Sequence, residues 1–148
     1  MPSIESVQAK VQRILLAELG EVQIDEDLNF KIPFEDTMCF VTVGEGLGEV
    51  EVVVRVEALV LRNVKLTTDV FEWVATEGQE FQIGGTCIWR DAKKPDRLGA
   101  IMYCYGIAAD DLDSSELRLA VGCVGVSANM LSEALKPRFG GETFFEES

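Results

Sequence analysis

The sequence predicts a small α+β domain with a mostly antiparallel sheet and the element order α-βββ-α-ββ-α. Two observations predict it. Apolar residues recur at helical spacing near the start, the middle and the end of the chain, with alternating or continuously apolar strand-like runs between them. Those runs are joined by short turn signals and separated by single helices, which favours an antiparallel sheet over parallel βαβ units.

Residues 3–19 read as the first helix. Ser3 is its N-cap, Glu5 favours the first turn, and Ile4, Val7, Val11, Ile14 and Leu15 form one apolar stripe. Gly20 suits the left-handed stop. Residues 27–34 then alternate, with Leu28, Phe30, Ile32 and Phe34 on one face. Pro33 cannot donate to a ladder, so this strand is an edge or ends there. Glu35-Asp36 is a tight turn, residues 37–43 a second strand, and 44–48 a glycine-rich turn. Residues 50–62 form the strongest strand. Val50, Val52, Val54, Val56, Ala58 and Val60 make one apolar face, while Val53, Leu59 and Leu61 share the other with Glu51, Arg55 and Glu57. That second face is too apolar for open solvent, so it is covered in part or awaits a partner.

Thr68 or Asp69 caps a short second helix, with Asp69 and Glu72 spaced as a capping box. Val70, Phe71 and Val74 share its apolar side, Trp73 points elsewhere, and Gly78 closes it. Strands near 80–90 and 98–108 flank a charged tip at 91–97. Asp113 and Glu116 cap a last helix that Pro137 ends near Leu135. This helix carries two stripes, Leu117-Ala120-Val121-Val124-Ala128-Leu131-Leu135 and Leu119-Cys123-Val126-Met130, so it is covered on more than one side. Gly122 and Gly125 mark close backbone approaches. The whole chain, 1–148, reads as one domain, with 138–148 as a flexible tail carrying exposed aromatics.

Composition narrows the function. The formal charge of −13 repels phosphate backbones and anionic lipid, so nucleic acid and membrane surfaces are disfavoured partners. The absence of histidine removes the commonest general base and metal ligand, and with it any Ser-His-Asp or Cys-His site. Cys39, Cys87, Cys104 and Cys123 form no CxxC pair; they read as reduced, core-filling thiols of a cytoplasmic protein and not as zinc ligands. The acidic runs Asp25-Glu26-Asp27 and Asp110, Asp111, Asp113 fit turns and caps, and neither has the spacing of a calcium loop. Trp89, Tyr103 and Tyr105 fit cross-strand pairing, with ligand stacking as the alternative. No cofactor, metal or catalytic residue is expected.

The order of elements supports a resemblance. Asp27-Leu-Asn-Phe-Lys-Ile32, Val50-Glu-Val-Val-Val54, Leu61-Arg-Asn-Val64 and Ala134-Leu-Lys-Pro-Arg-Phe-Gly-Gly141 carry it, over nearly the whole chain. The sequence resembles the YbjN-like proteins and the class I type III secretion chaperones, and most of all an actinobacterial peptide-binding chaperone-like branch. The resemblance implies a non-catalytic, cytoplasmic homodimer that holds a protein or peptide segment. It places the dimer contact on the second helix, at Phe71, Trp73 and Val74. An extended client would lie along the first helix and the sheet, where Phe30, Ile32, Phe34, Val41, Leu59 and Leu61 are the candidate groove; core packing is the competing reading. A regulatory or scaffold domain that binds a folded partner is the alternative function, and a small-molecule-binding protein a further one. The client's identity does not carry over.

Overall fold

A computed structural model describes residues 3–146. The first helix, α1 (Ile4–Glu18), starts where the sequence places it. Its capping box closes with Ser6, not an acid: the Ser3 side chain accepts from the Ser6 N–H, and the Ser6 hydroxyl accepts from the Ser3 N–H. Gly20 adopts φ +75° just beyond it.

A strand that periodicity missed follows. β1 (Gln23–Ile24) pairs with the start of β2 (Phe30–Phe34), so the sheet has six strands where five were expected. Two residues are too short to show a period. Leu28 leaves the strand because it sits at φ 58° in the preceding turn. β1 reaches only as far as Lys31, which stands opposite Gln23, leaving Pro33 free of any ladder on that side. β2 turns into β3 (Thr37–Glu45), which pairs with β4 (Val52–Lys65); after a short helix, β5 (Gly85–Arg90) and β6 (Leu98–Ala108) form a hairpin that adds β6 to the other side of β4. The spatial order is β1-β2-β3-β4-β6-β5, all antiparallel, which confirms the α+β class.

One row across the sheet is Ile32, Cys39, Ala58, Tyr103 and Thr86; with its neighbours it faces the helices. The adjacent row of the opposite face is Lys31, Phe40, Glu57, Cys104 and Gly85. β4 changes faces midway. Register shifts between Leu59 and Leu61, and again before Val64, let Val60, Leu61 and Val64 all join the helix-side core. Leu61 therefore does not share a face with Val53 and Leu59, as simple alternation predicts.

α2 (Thr68–Ala75) is capped by Thr67, whose hydroxyl accepts from the Val70 N–H at 3.4 Å, and not by Thr68 or Asp69. Its buried residues are Val70, Trp73 and Val74, and Phe71 faces outward. The expected orientation is reversed because Trp73 packs edge-on against Phe139, ring centroids 6.3 Å apart. A 3-10 turn, Glu77–Gln79, follows.

α3 (Ser114–Phe139) runs 26 residues, about 39 Å at 1.5 Å per residue. Asp113 caps it as expected. Pro137 does not end it: placed in the last turn, the ring costs only the bond to the Glu133 carbonyl, and the chain stops at Gly140, φ 70°, whose N–H reaches the Lys136 carbonyl at 2.9 Å. Residues 140–146 then cross to Arg62. Its backbone pairs with Glu142, and its side chain donates to the Thr143 and Glu146 carbonyls. Phe144 meets Phe40, at 6.0 Å, on the sheet face away from the helices. Part of the excess apolar surface on that face is thus covered; Met38, Leu59 and Met102 are buried there.

Of the four cysteines only Cys39 is buried. The expectation that the thiols fill the core holds for it alone; Cys87, Cys104 and Cys123 are half-exposed, because they sit on the sheet's second face or the outer side of α3. Among the described residues, no helix is long and apolar enough to cross a membrane.

Candidate functional site

α3 divides its two stripes between core and surface. Leu117, Ala120, Val121, Val124, Ala128 and Leu135 are buried against the sheet. The second stripe is largely uncovered: Leu119 is 62 % exposed, Val126 47 % and Met130 66 %, with Cys123 half-buried among them. Isolated exposed apolar residues need no explanation, but an aligned row along about three turns of helix does.

This row borders a groove of about 930 Å³ whose far wall is the segment 81–83. Phe81, Ile83, Tyr103, Leu119, Cys123 and Val126 line it. The wall is held in place from beneath. Phe81 packs edge-on against Tyr103 at 5.3 Å, and the Tyr103 hydroxyl donates to the Ile83 carbonyl. Burial raises the Tyr103 pKa above the ordinary 10.0, so the phenol stays a donor near neutral pH. Gly84, at φ +80°, allows the approach, since a Cβ there would lie 2.8 Å from the Tyr103 ring.

The two helix glycines serve different ends. At Gly125 a Cβ would meet the Phe34 ring at 2.5 Å, the close approach that was expected. At Gly122 a Cβ would meet nothing within 4 Å. Gly122 instead widens the groove floor by lacking a side chain. Val126 also lines a second hollow of about 770 Å³ with Met130, Glu35, Asp36 and Glu133, so the two hollows form one track along α3.

The rim is acidic. Asp113, Glu116, Glu35, Asp36 and Glu133 border the track. The backbone N–H of Glu116 holds the Asp113 carboxyl below the ordinary 3.8, so it is ionised at neutral pH. The two bordering cations already have partners: Arg118 lies 3.8 Å from Glu18, and Lys136 pairs with Glu146.

The residues predicted for a dimer contact separate. Trp73 and Val74 are buried within the chain, and Phe71 is 37 % exposed beneath the Arg90 guanidinium, 5.4 Å from its ring centroid. Beside Phe71 runs β5, which pairs only with β6 among the described residues. The strand residues predicted for a peptide groove do not converge on one opening. Phe30, Ile32, Val41 and Leu61 are buried under the helices, Leu59 is buried on the other face, and Phe34 is half-buried against Gly125. Trp89 is exposed on the face opposite Tyr103 and Tyr105, so these three rings do not form one platform. The acidic runs take up turn and cap roles: the Asp25 carboxylate accepts the N–H groups of Asp27 and Asn29, each at 2.9 Å.

One cluster among the described residues brings three metal-ligand types together: a Glu57 carboxylate oxygen and the sulfurs of Cys87 and Cys104 lie within 4.8 Å of one another. Residues far apart in sequence meet there through sheet register alone. A zinc site commonly needs four ligands, and among the described residues no fourth His, Cys, Asp or Glu joins these three.

An antiparallel sheet with helices on one face and an open apolar track on the last helix defines a secretion-chaperone-like fold. Residues 5–147 match the family TY-Chap1, described as T3SS (YopN, CesT) and YbjN peptide-binding chaperone 1, and the chain belongs to this family. Solved structures agree. A chain of the ExsC–ExsE complex superposes with a TM-score of 0.58 at 16 % identity, over 86 % of this chain and 95 % of that one. A chain of the HopA1–SchA chaperone–effector complex gives 0.59 at 9 %, over 90 % and 99 %. YbjN from E. coli gives 0.58 at 11 %, over 87 % and 91 %. No curated protein matches the sequence. At these identities the structural likeness is one of fold.

Proposed function

We propose that the chain is a non-catalytic, chaperone-like module that holds a basic amphipathic segment of another protein in the α3 track. The family is described as peptide-binding, and solved relatives include a chaperone–effector complex. The observation that carries the reading is the uncovered row Leu119-Val126-Met130 beside a fixed wall, within a rim whose cations are already paired. An apolar stripe binds the apolar face of a helix or extended segment, and the unpaired carboxylates select lysine and arginine on its flanks. The strand positions Phe30, Ile32, Phe34, Val41, Leu59 and Leu61 would meet a client only if a helix or the tail moved aside, so the track is the first point of contact.

The homodimer belongs to the same proposal. Phe71 on α2 and the open edge of β5 form its contact, with Trp73 and Val74 supporting Phe71 from within. A reducing cytoplasm is the setting this reading assumes.

Isothermal titration with synthetic basic amphipathic peptides tests the client. Micromolar binding that weakens with added salt and vanishes in a Leu119→Ser/Met130→Ser variant supports it; equal affinity for an acidic amphipathic peptide overturns it. A partner that binds only as a folded domain, and not as an isolated segment, would instead make the module a scaffold.

A further inference from the structure

We propose that Cys87 and Cys104 form a peroxide-reactive dithiol that closes into a disulfide between β5 and β6, with Glu57 taking the proton from Cys104. This site lies on the sheet face away from the helices and does not depend on the client-binding reading.

The register builds it. Cys104 stands opposite Gly85 and Cys87 opposite Met102, so the two cysteines are diagonal neighbours on one face of the hairpin. Diagonal pairs are often too far apart for a disulfide. Here the two Sγ atoms lie 2.7 Å apart, so little movement separates thiols from bond. On the next strand Glu57 stands opposite Cys104, and its Oε2 is 3.5 Å from the Cys104 sulfur. Glu57 is buried, and its other oxygen is 3.4 Å from Arg55 Nε, which keeps a carboxylate in place beside a half-exposed thiol. Both cysteines are only partly buried, which leaves a small oxidant a path to the pair.

The two thiols have different roles. The contact between the two sulfurs holds the Cys87 pKa below its ordinary 9.0 and raises that of Cys104, whose S–H donates to Glu57 Oε2. Cys87 is therefore the nucleophile and Cys104 the resolving thiol. The Cys87 thiolate attacks one peroxide oxygen, the O–O bond breaks, and hydroxide leaves, giving a sulfenic acid. Glu57 accepts the Cys104 proton as that sulfur attacks the sulfenic sulfur; the S–O bond breaks and the second hydroxide leaves as water. Both thiol protons end on the departing oxygens. Two thiols and one hydrogen peroxide give one disulfide and two waters, with the peroxide reduced. Cys39 takes no part, because burial pushes its pKa to about 12.

The test treats the full chain with stoichiometric hydrogen peroxide and maps the product by mass spectrometry. The expected product has lost two hydrogens, links the peptides of Cys87 and Cys104, and leaves two of the four thiols free to be alkylated once the chain is unfolded. Cys104→Ser should accumulate a Cys87 sulfenic acid that dimedone traps, Cys87→Ser should form neither product, and Glu57→Gln should slow bond closure and raise the trapped fraction. Circular dichroism of each variant separates lost chemistry from lost fold, and wild-type mapping stands even if a variant fails to fold. A bond to Cys39 or Cys123, sulfinic acid at Cys87 without a link, or a thiophilic metal ion retained on the pair after purification would overturn the proposal.

Discussion

The Phe34 ring lies directly over Gly125, so closely that a Cβ on that glycine would stand 2.5 Å from it, and the Asn129 side chain fixes the arrangement by donating to the Phe34 carbonyl at 3.0 Å. The end of β2 is thereby keyed into one turn of α3. At Gly122, three residues earlier on the same helix, a Cβ would meet nothing within 4 Å.

The two glycines should therefore respond oppositely to alanine. Gly122→Ala gains helix propensity without a clash and should stabilise by about 0.5–1 kcal/mol. Gly125→Ala gains the same propensity but must push the Phe34 ring away, and overpacking costs about 1–3 kcal/mol, for a net loss. Urea unfolding of both variants measures the difference, and equal midpoints would contradict the close approach.

Phe71 and Trp73 should separate association from stability. Trp73→Ala removes a buried ring and should cost about 3–5 kcal/mol. Phe71→Glu changes a partly exposed position and should leave the melting temperature nearly unchanged while dispersing the proposed dimer. Light scattering after size-exclusion chromatography reads the mass; a wild-type monomer would remove the α2 contact.

Truncating Leu119 and Met130 to serine should leave stability within about 0.5 kcal/mol, since both are exposed. Each buried apolar side chain contributes about 1.5–3 kcal/mol, so each truncation should weaken the binding of a basic amphipathic peptide about tenfold or more. Fluorescence anisotropy at two ionic strengths checks both the apolar and the charged part of the contact.

The C-terminal segment should loosen in acid. Lys136 and the Thr143 N–H hold the Glu146 carboxyl below its ordinary 4.5 in the folded protein. A depressed carboxyl contributes stability that is present above about pH 4.5 and lost as pH falls through the lower folded value. Arg62→Ala, which removes the side-chain bonds to Thr143 and Glu146, should loosen the segment at neutral pH as well. Proteolysis at Phe144 and Phe145 reports both effects.

Much of this architecture is legible from periodicity, and its exceptions have identifiable causes. The face of Leu61 is hidden because a bulge shows only in strand register, and register depends on β6, far along the chain. Phe71 and Trp73 fit helical spacing equally well within the eight residues of α2; the contact with Phe139 decides between them. The two stripes of α3 are visible in the sequence, but which of them meets the sheet is not, so the open track had to come from burial. A weak signal for the dithiol did exist: one cysteine on each side of the 91–97 hairpin tip, Cys87 before it and Cys104 after it. Glu57 gave no such signal, because only the β4–β6 pairing brings it there.

The strand order also sets a schedule for synthesis. β4, the longest strand, has β3 on one side and β6 on the other, yet β6 ends at Ala108. At about 5–20 residues per second, the ribosome needs several seconds to deliver β6 after β4 has emerged. For that interval one edge of an apolar strand has no native neighbour, and unpaired apolar edges are where nascent chains associate wrongly. A protein of a chaperone-like family is thus itself exposed during its birth, and the β5–β6 hairpin ends that exposure by arriving as a unit.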